Sequence, residues 1–375
     1  MEKHEPNRKN FLKTHRWILK LLAAFVLLGI DVLMMTLFRR FPEFFFPGYR
    51  VVSKAWISFL AWLTSFSRAA VWDIAVLILF LVYLYTLIRT LRKKKSILDW
   101  FGRVMLVLAV LGTVTICGWM LNHYAPPLAK ELGYEVTGYE KSLLEEACAY
   151  YLRNAADAAL GMNRDEEGHL IRADFYDTAA KAGSAYVTLS ETDPVFKGPS
   201  VPVKKLSLAG EYLMYNGIIG MFMPLSGEAG VPASVPAAPL PFTMCHEAAH
   251  RAGIASEEEA NFAAYLACVD HTDPYFRFSA YYSAFSYCYS SLYAVDPESA
   301  LAVYHGNDED PGVALVQKDR RDTADTYQRY ESKLKEISDD INDTYLKTFS
   351  EESGIQSYGE VTDDLIAWYL VHGRA

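Results

Sequence analysis

Residues 242–253 read Phe-Thr-Met-Cys-His-Glu-Ala-Ala-His-Arg-Ala-Gly, and residues 254–269 continue Ile-Ala-Ser-Glu-Glu-Glu-Ala-Asn-Phe-Ala-Ala-Tyr-Leu-Ala-Cys-Val. Two histidines four residues apart on a helix share a face, one turn apart. Their ring nitrogens can then reach one zinc ion at about 2.0–2.1 Å. Glu247 lies between them at the edge of that face, where a carboxylate can take a proton from a zinc-activated water. By itself the five-residue pattern His246-Glu-x-x-His250 also fits a helix that merely carries two histidines. Its surroundings favour the metal: Phe242, Met244, Ala248 and Ala249 make the segment apolar, and buried imidazoles need partners. Gly253 lets the chain turn back, and three carboxylates follow at once.

Those carboxylates open a second helix, 257–269. Ser256 and Glu259 have the spacing of a capping box, which gives Glu259 another occupation. Glu258 shares a face with bulky Phe262, Tyr265 and Val269. Glu257 shares one with Ala260, Asn261, Ala264 and Cys268, small enough to approach the histidine helix at Cys245, Ala249 and Ala252. Helix periodicity therefore favours Glu257 over Glu258 as third ligand. The competing reading of all three is an acidic helix start favoured by the dipole.

Upstream, residues 218–223 have strand composition and end at Pro224. They suit a cleft-edge strand that pairs with a substrate backbone, or an ordinary buried strand. Residues 226–241, with prolines at 232, 236, 239 and 241, read as loop, and Glu228 is expected to flank the cleft entrance. Residues 185–189 suggest a short strand, and 139–160, 276–294, 313–349 and 361–371 suggest helices. Tyr281 or Tyr282 could stabilise an oxyanion. In a helix that also holds Tyr275, Tyr287, Tyr289 and Tyr293, however, packing is the favoured role for both.

The N-terminal third is different in kind. Residues 17–38, 69–91 and 104–121 are apolar runs long enough to cross about 30 Å of hydrocarbon, with an amphipathic, interfacial helix expected over about 50–66. Asp31 interrupts the first run and is read as hydrated near its outer end. Lys3, Arg8, Lys9, Lys13 and Arg16, together with the basic 89–103 loop, place both segments in the cytoplasm. The expected arrangement is a membrane region (1–124) in the cell membrane and a catalytic domain (125–375) outside the cytoplasm. The net charge of −9 lacks any basic stripe, so nucleic acid is not an expected partner. The five scattered cysteines give no disulfide framework.

The paired helices resemble the gluzincin arrangement. They are similar to the ImmA/IrrE-type peptidases, where H-E-x-x-H precedes E-x-E-A-N-x-F-A, and to the CAAX-prenyl and HtpX-type membrane peptidases, where the second helix reads E-x-x-A-D and Asn261 here stands in place of that Asp. The resemblance implies Glu257 as ligand and Asn261 as a group that orients a histidine or the loop. The layout resembles more closely a bacterial membrane family classed as a domain of unknown function. Its Gly-Phe-x-Pro-x-x-Gly-Glu corresponds to residues 220–228 (with Met221 before Phe222), and its Glu-Ala-Asn-Phe to residues 259–262. The implied architecture is a multi-pass α-helical membrane segment followed by a mainly α, α+β zincin-like metallopeptidase domain, with zinc as cofactor and the bilayer and a peptide or protein substrate as partners. A zincin-like sensor without chemistry, or a zinc amide hydrolase acting on cell-wall peptides, are the competing functions. Glu247 argues against the sensor, because binding alone needs no general base.

Overall fold

A computed structural model describes residues 15–134, 138–306, 308–332 and 361–374. The basic N-terminal tail and residues 333–349 of the expected 313–349 helix lie outside them. The chain begins with α1 (Arg16–Arg40), α2 (Pro42–Thr64), α3 (Val71–Arg92) and α4 (Ile97–Gly118), and a 3-10 turn, Met120–Tyr124, extends α4. α1, α3 and α4 with its extension are long and apolar enough to span a membrane, so the three expected runs fall on three candidate spans, the third beginning earlier, at Ile97.

α1 and α4 run side by side in the same direction. Lys20 pairs with Asp99 at one end (2.6 Å), and Phe38 and Leu121 share a cluster at the other. Between them Asp31 is buried, not hydrated, and accepts a hydrogen bond from Thr113 Oγ1 at 2.9 Å. A carboxylate facing a neighbouring span finds a donor there that lipid cannot offer. α2 does more than lie at an interface. Ile57, Leu60 and Ala61 are buried, and Ile57 and Leu60 pack with Trp119 and Ala255.

The rest is mainly helical: α5 (Lys141–Leu160), α6 (Phe175–Ser184), α7 (Tyr186–Thr192), α8 (Gly210–Tyr215), α9 (Leu240–Arg251), α10 (Glu257–Val269), α11 (Pro274–Val295), α12 (Pro297–His305), α13 (Pro311–Gln328) and α14 (Val361–His372). Three of these start on Asp-Pro. Asp273, Asp296 and Asp310 cap α11, α12 and α13 by accepting backbone N–H bonds, and the proline occupies the first turn, where no donor is missed. α5 packs on α11 and α13, and α9 and α10 pack on each other and on α11. The stretch expected as a strand at 185–189 is helical instead. Its β-branched residues are overruled by packing, with Tyr186 stacked on Phe196 (ring centroids 5.8 Å).

A small sheet lies against α9. β1 (Lys204–Leu206) is parallel to β3 (Glu228–Pro232), and β2 (Met221–Met223) is antiparallel to it, in the order β1-β3-β2. The central, fully buried β3 comes from the proline-rich stretch expected to be loop.

Candidate functional site

α9 begins with Pro241 in its first turn, and the chain reverses at Gly253 (φ +93°), a left-handed position that suits glycine after a helix end. That turn brings the start of α10 back against the histidine face. His246, His250 and Glu257 each offer one ligand atom, and these atoms lie within 4.8 Å of one another. Glu257 Oε2 is 3.2 Å from His246 Nε2, Glu257 Oε1 is 3.6 Å from His250 Nε2, and the two Nε2 atoms are 3.0 Å apart. Three donors therefore converge on one point, as a three-ligand metal site requires. Glu258 is not part of the cluster, in keeping with the small-face argument for Glu257. Glu259 does not close a capping box, since Ser256 makes no cap bond. Instead Glu259 Oε1 accepts from the Leu128 amide at 2.8 Å and ties α10 to the exit of the membrane region.

The site's electrostatics follow from burial set against mutual attraction. Burial pushes Glu247 up to about 7, although His246 and His250 pull it down. For His250 burial acts downward but is overcome by Glu257, which holds the imidazole up at about 9. Burial would raise Glu257, yet the two histidines keep it well below the ordinary carboxylate range. His250 Nδ1 lies 2.8 Å from the Ile254 carbonyl oxygen. As a donor to that oxygen it fixes the ring and leaves Nε2 free for a metal. Asn261, expected to do the orienting, is buried, and its Nδ2 has no hydrogen-bond partner among the described residues.

Glu247 is not part of the triad. Its Oε2 is buried without a hydrogen-bond partner among the described residues, and the backbone of Gly220, just ahead of β2, packs against the carboxylate. A Cβ on Gly220 would fall 2.8 Å from Glu247 Cδ and Cγ and closer still to Oε1. The expected edge strand thus passes α9 at Glu247.

With this geometry in place, a family comparison matches residues 47–366 to a protein of unknown function, DUF3810. The chain belongs to the DUF3810 family. No curated protein and no solved structure matched it. In this DUF3810 chain the likeness to gluzincin peptidases accordingly rests on the motif residues alone.

Other expected site residues are placed elsewhere. Glu228 does not flank a cleft. It is buried in β3 and accepts the Val71 and Trp72 amides at 2.8 and 3.0 Å, which caps a membrane span. Tyr281 packs with Tyr150 and Tyr265, and Tyr282 donates to Thr323 Oγ1 at 3.0 Å. Half-buried Tyr287 is the tyrosine nearer the site. Its ring lies 6.1 Å from that of Phe242, and its hydroxyl is pushed up by burial and by the charge of Glu257. Trp119, directly after α4, was not foreseen either. Its Nε1 donates to the His250 carbonyl oxygen at 3.0 Å, and its ring meets His250 edge-on at 6.1 Å. Nothing in the local pattern at Trp119 points to this role. Gly220 did carry a signal, since a glycine inside an apolar strand pattern marks close backbone approach.

Proposed function

We propose that this chain is a membrane-anchored zinc metallopeptidase with a zincin-like catalytic domain lying outside the cytoplasm. The observation that carries the reading is the division of labour on α9. His246 and His250 converge with Glu257, while the buried Glu247, next to His246 on the same helix and within reach of the charges of all three, is not one of the converging groups. Two imidazoles and one carboxylate are the donor set of a three-ligand catalytic zinc site. Zinc held there supplies a Lewis acid that lowers the pKa of water and polarises a carbonyl.

The residues do the rest. Glu247, lifted towards 7 by burial, takes a proton from the attacking water and returns it to the leaving amine. A carboxylate tuned near the working pH can act in both directions. Ile254 and Trp119 hold His250 from its ring nitrogen and its backbone oxygen. β2 offers an extended substrate its backbone edge.

The test is Glu247→Gln, which keeps size and hydrogen-bonding reach but cannot accept the proton. The variant is expected to fold, retain about one zinc per chain, and lose about 10²-fold or more in peptide-library cleavage. Zinc and cleavage are measured on the same sample. Cleavage within about tenfold of wild type would reject the base assignment. No cleavage by wild type, with a cellular phenotype that survives the substitution, would make the protein a zincin-like sensor instead.

A further inference from the structure

Resting on that peptidase reading, we propose that the substrate is a polypeptide tethered to the same bilayer and cut in the extended segment next to its membrane anchor. The first observation is depth. The candidate span formed by α4 and its extension runs from Ile97 to Tyr124. In its last turns, where the helix gives way to the 3-10 turn, lies Trp119, whose indole donates to the backbone of the ligand His250. The metal-ligating helix therefore sits within one side chain of the end of a membrane span.

The second observation is which sheet edge is open. The outer edge of β1 is already taken: Ala70 donates to the Lys205 carbonyl at 3.0 Å, and Lys205 donates to that of Arg68 at 3.1 Å. The outer edge of β2 has no strand partner among the described residues, and β2 is half-buried. Phe222 in β2 lies 5.0 Å from the Trp119 ring, and Gly220 just before it abuts Glu247. A strand added to β2 would run alongside the segment that touches both Glu247 and Trp119.

The third observation is the exposed apolar surface near the span ends. Leu208 is anchored beside the first turn of the α3 span by its amide bond to Asp73 (3.0 Å). It is 60% exposed, and Tyr212, one turn further on, is 61% exposed. Across the spans, Trp62 and Phe66 are 67% and 81% exposed. Apolar and aromatic surface at span ends belongs among lipid headgroups. A soluble polypeptide would have to penetrate that layer to reach β2, whereas a segment that emerges from the bilayer is already in it.

The experiment uses the full chain in liposomes and one randomised peptide segment in three settings. The segment is free in solution, fused directly after a transmembrane helix, or fused after the same helix through a folded spacer domain. The two membrane settings share the same surface concentration, so their difference reports position alone. The adjacent segment is expected to be cut at least about tenfold faster than the spaced one, as positioning at the reactive group predicts. Equal cutting of spaced or free segments overturns the proposal and leaves the peptidase reading standing. Absence of Glu247-dependent cleavage in all three settings removes both.

Discussion

Gly220 matters at the site for the atom it lacks. Because a Cβ there would collide with the Glu247 carboxylate, Gly220→Ala should displace the base without touching His246, His250 or Glu257. Zinc content is expected to stay near one per chain while cleavage falls by about 10²-fold, the scale on which a misplaced catalytic group costs rate. Wild-type cleavage in that variant would mean that the carboxylate needs no fixed seat. His250 carries a second prediction. Burial acts to lower its pKa, but Glu257 holds it up at about 9, and a metal needs the neutral ring, so binding must release a proton. Zinc affinity of the metal-free protein should therefore rise about tenfold per pH unit up to about 9, or about 10²-fold between pH 6.5 and 8.5 in a competition titration. A flat profile would detach His250 from the site. The same shifts set the stability of the metal-free fold. The raised His250 contributes stability below about 6.5 that is lost as pH rises through 9, and the depressed Glu257 contributes stability above the ordinary carboxylate range that is lost as pH falls.

Among the elements, the join between sheet and spans is made by exchanged carboxylates. Glu228 in β3 takes the first two amides of α3, and Asp73 in α3 takes the amides of Ser207 and Leu208 just past β1. Lys204 of β1 donates to the Thr64 and Ser67 carbonyls at the end of α2. Glu228→Ala leaves one buried and one part-buried amide without their acceptor and is expected to cost about 1–3 kcal/mol in thermal unfolding, more than Glu228→Gln, which keeps an acceptor oxygen. Equal loss in both variants would mean that the charge at the helix start, not the bonds, is what counts. Element by element, the sequence was read best where the cause is local. The glycine stop at Gly253 and the apolar periods of the candidate spans both came through. β3 escaped notice because its five buried residues show no alternation. The partners that make them a strand are Lys204–Leu206 and Met221–Met223, which sit elsewhere in the chain.

For the whole molecule, the parallel packing of α1 and α4 puts α2, the sheet and the α9–α10 pair together at one end of the candidate spans. With the basic 89–103 loop at the other end, the positive-inside rule supports the proposal that residues 125–375 lie outside the cytoplasm. Alkaline phosphatase fused after residue 130 should then be active and a cytoplasmic reporter silent, and the reverse pattern would invert the orientation. The packing around the site also crosses the boundary expected at residue 125, since Trp119 and Ile57 lie on one side of it and His250 and Ala255 on the other. By itself the sequence determined the spans, the helix that carries His246, Glu247 and His250, and the preference for Glu257, because each is written in the period of a single helix or of two consecutive ones. Only the tertiary structure decided that Glu228 caps α3, that Gly220 bounds Glu247, that Asp31 faces Thr113, and that Trp119 holds His250. Those partners are separated by tens to more than a hundred residues, and side-chain bonds across such gaps leave no periodic trace in either segment.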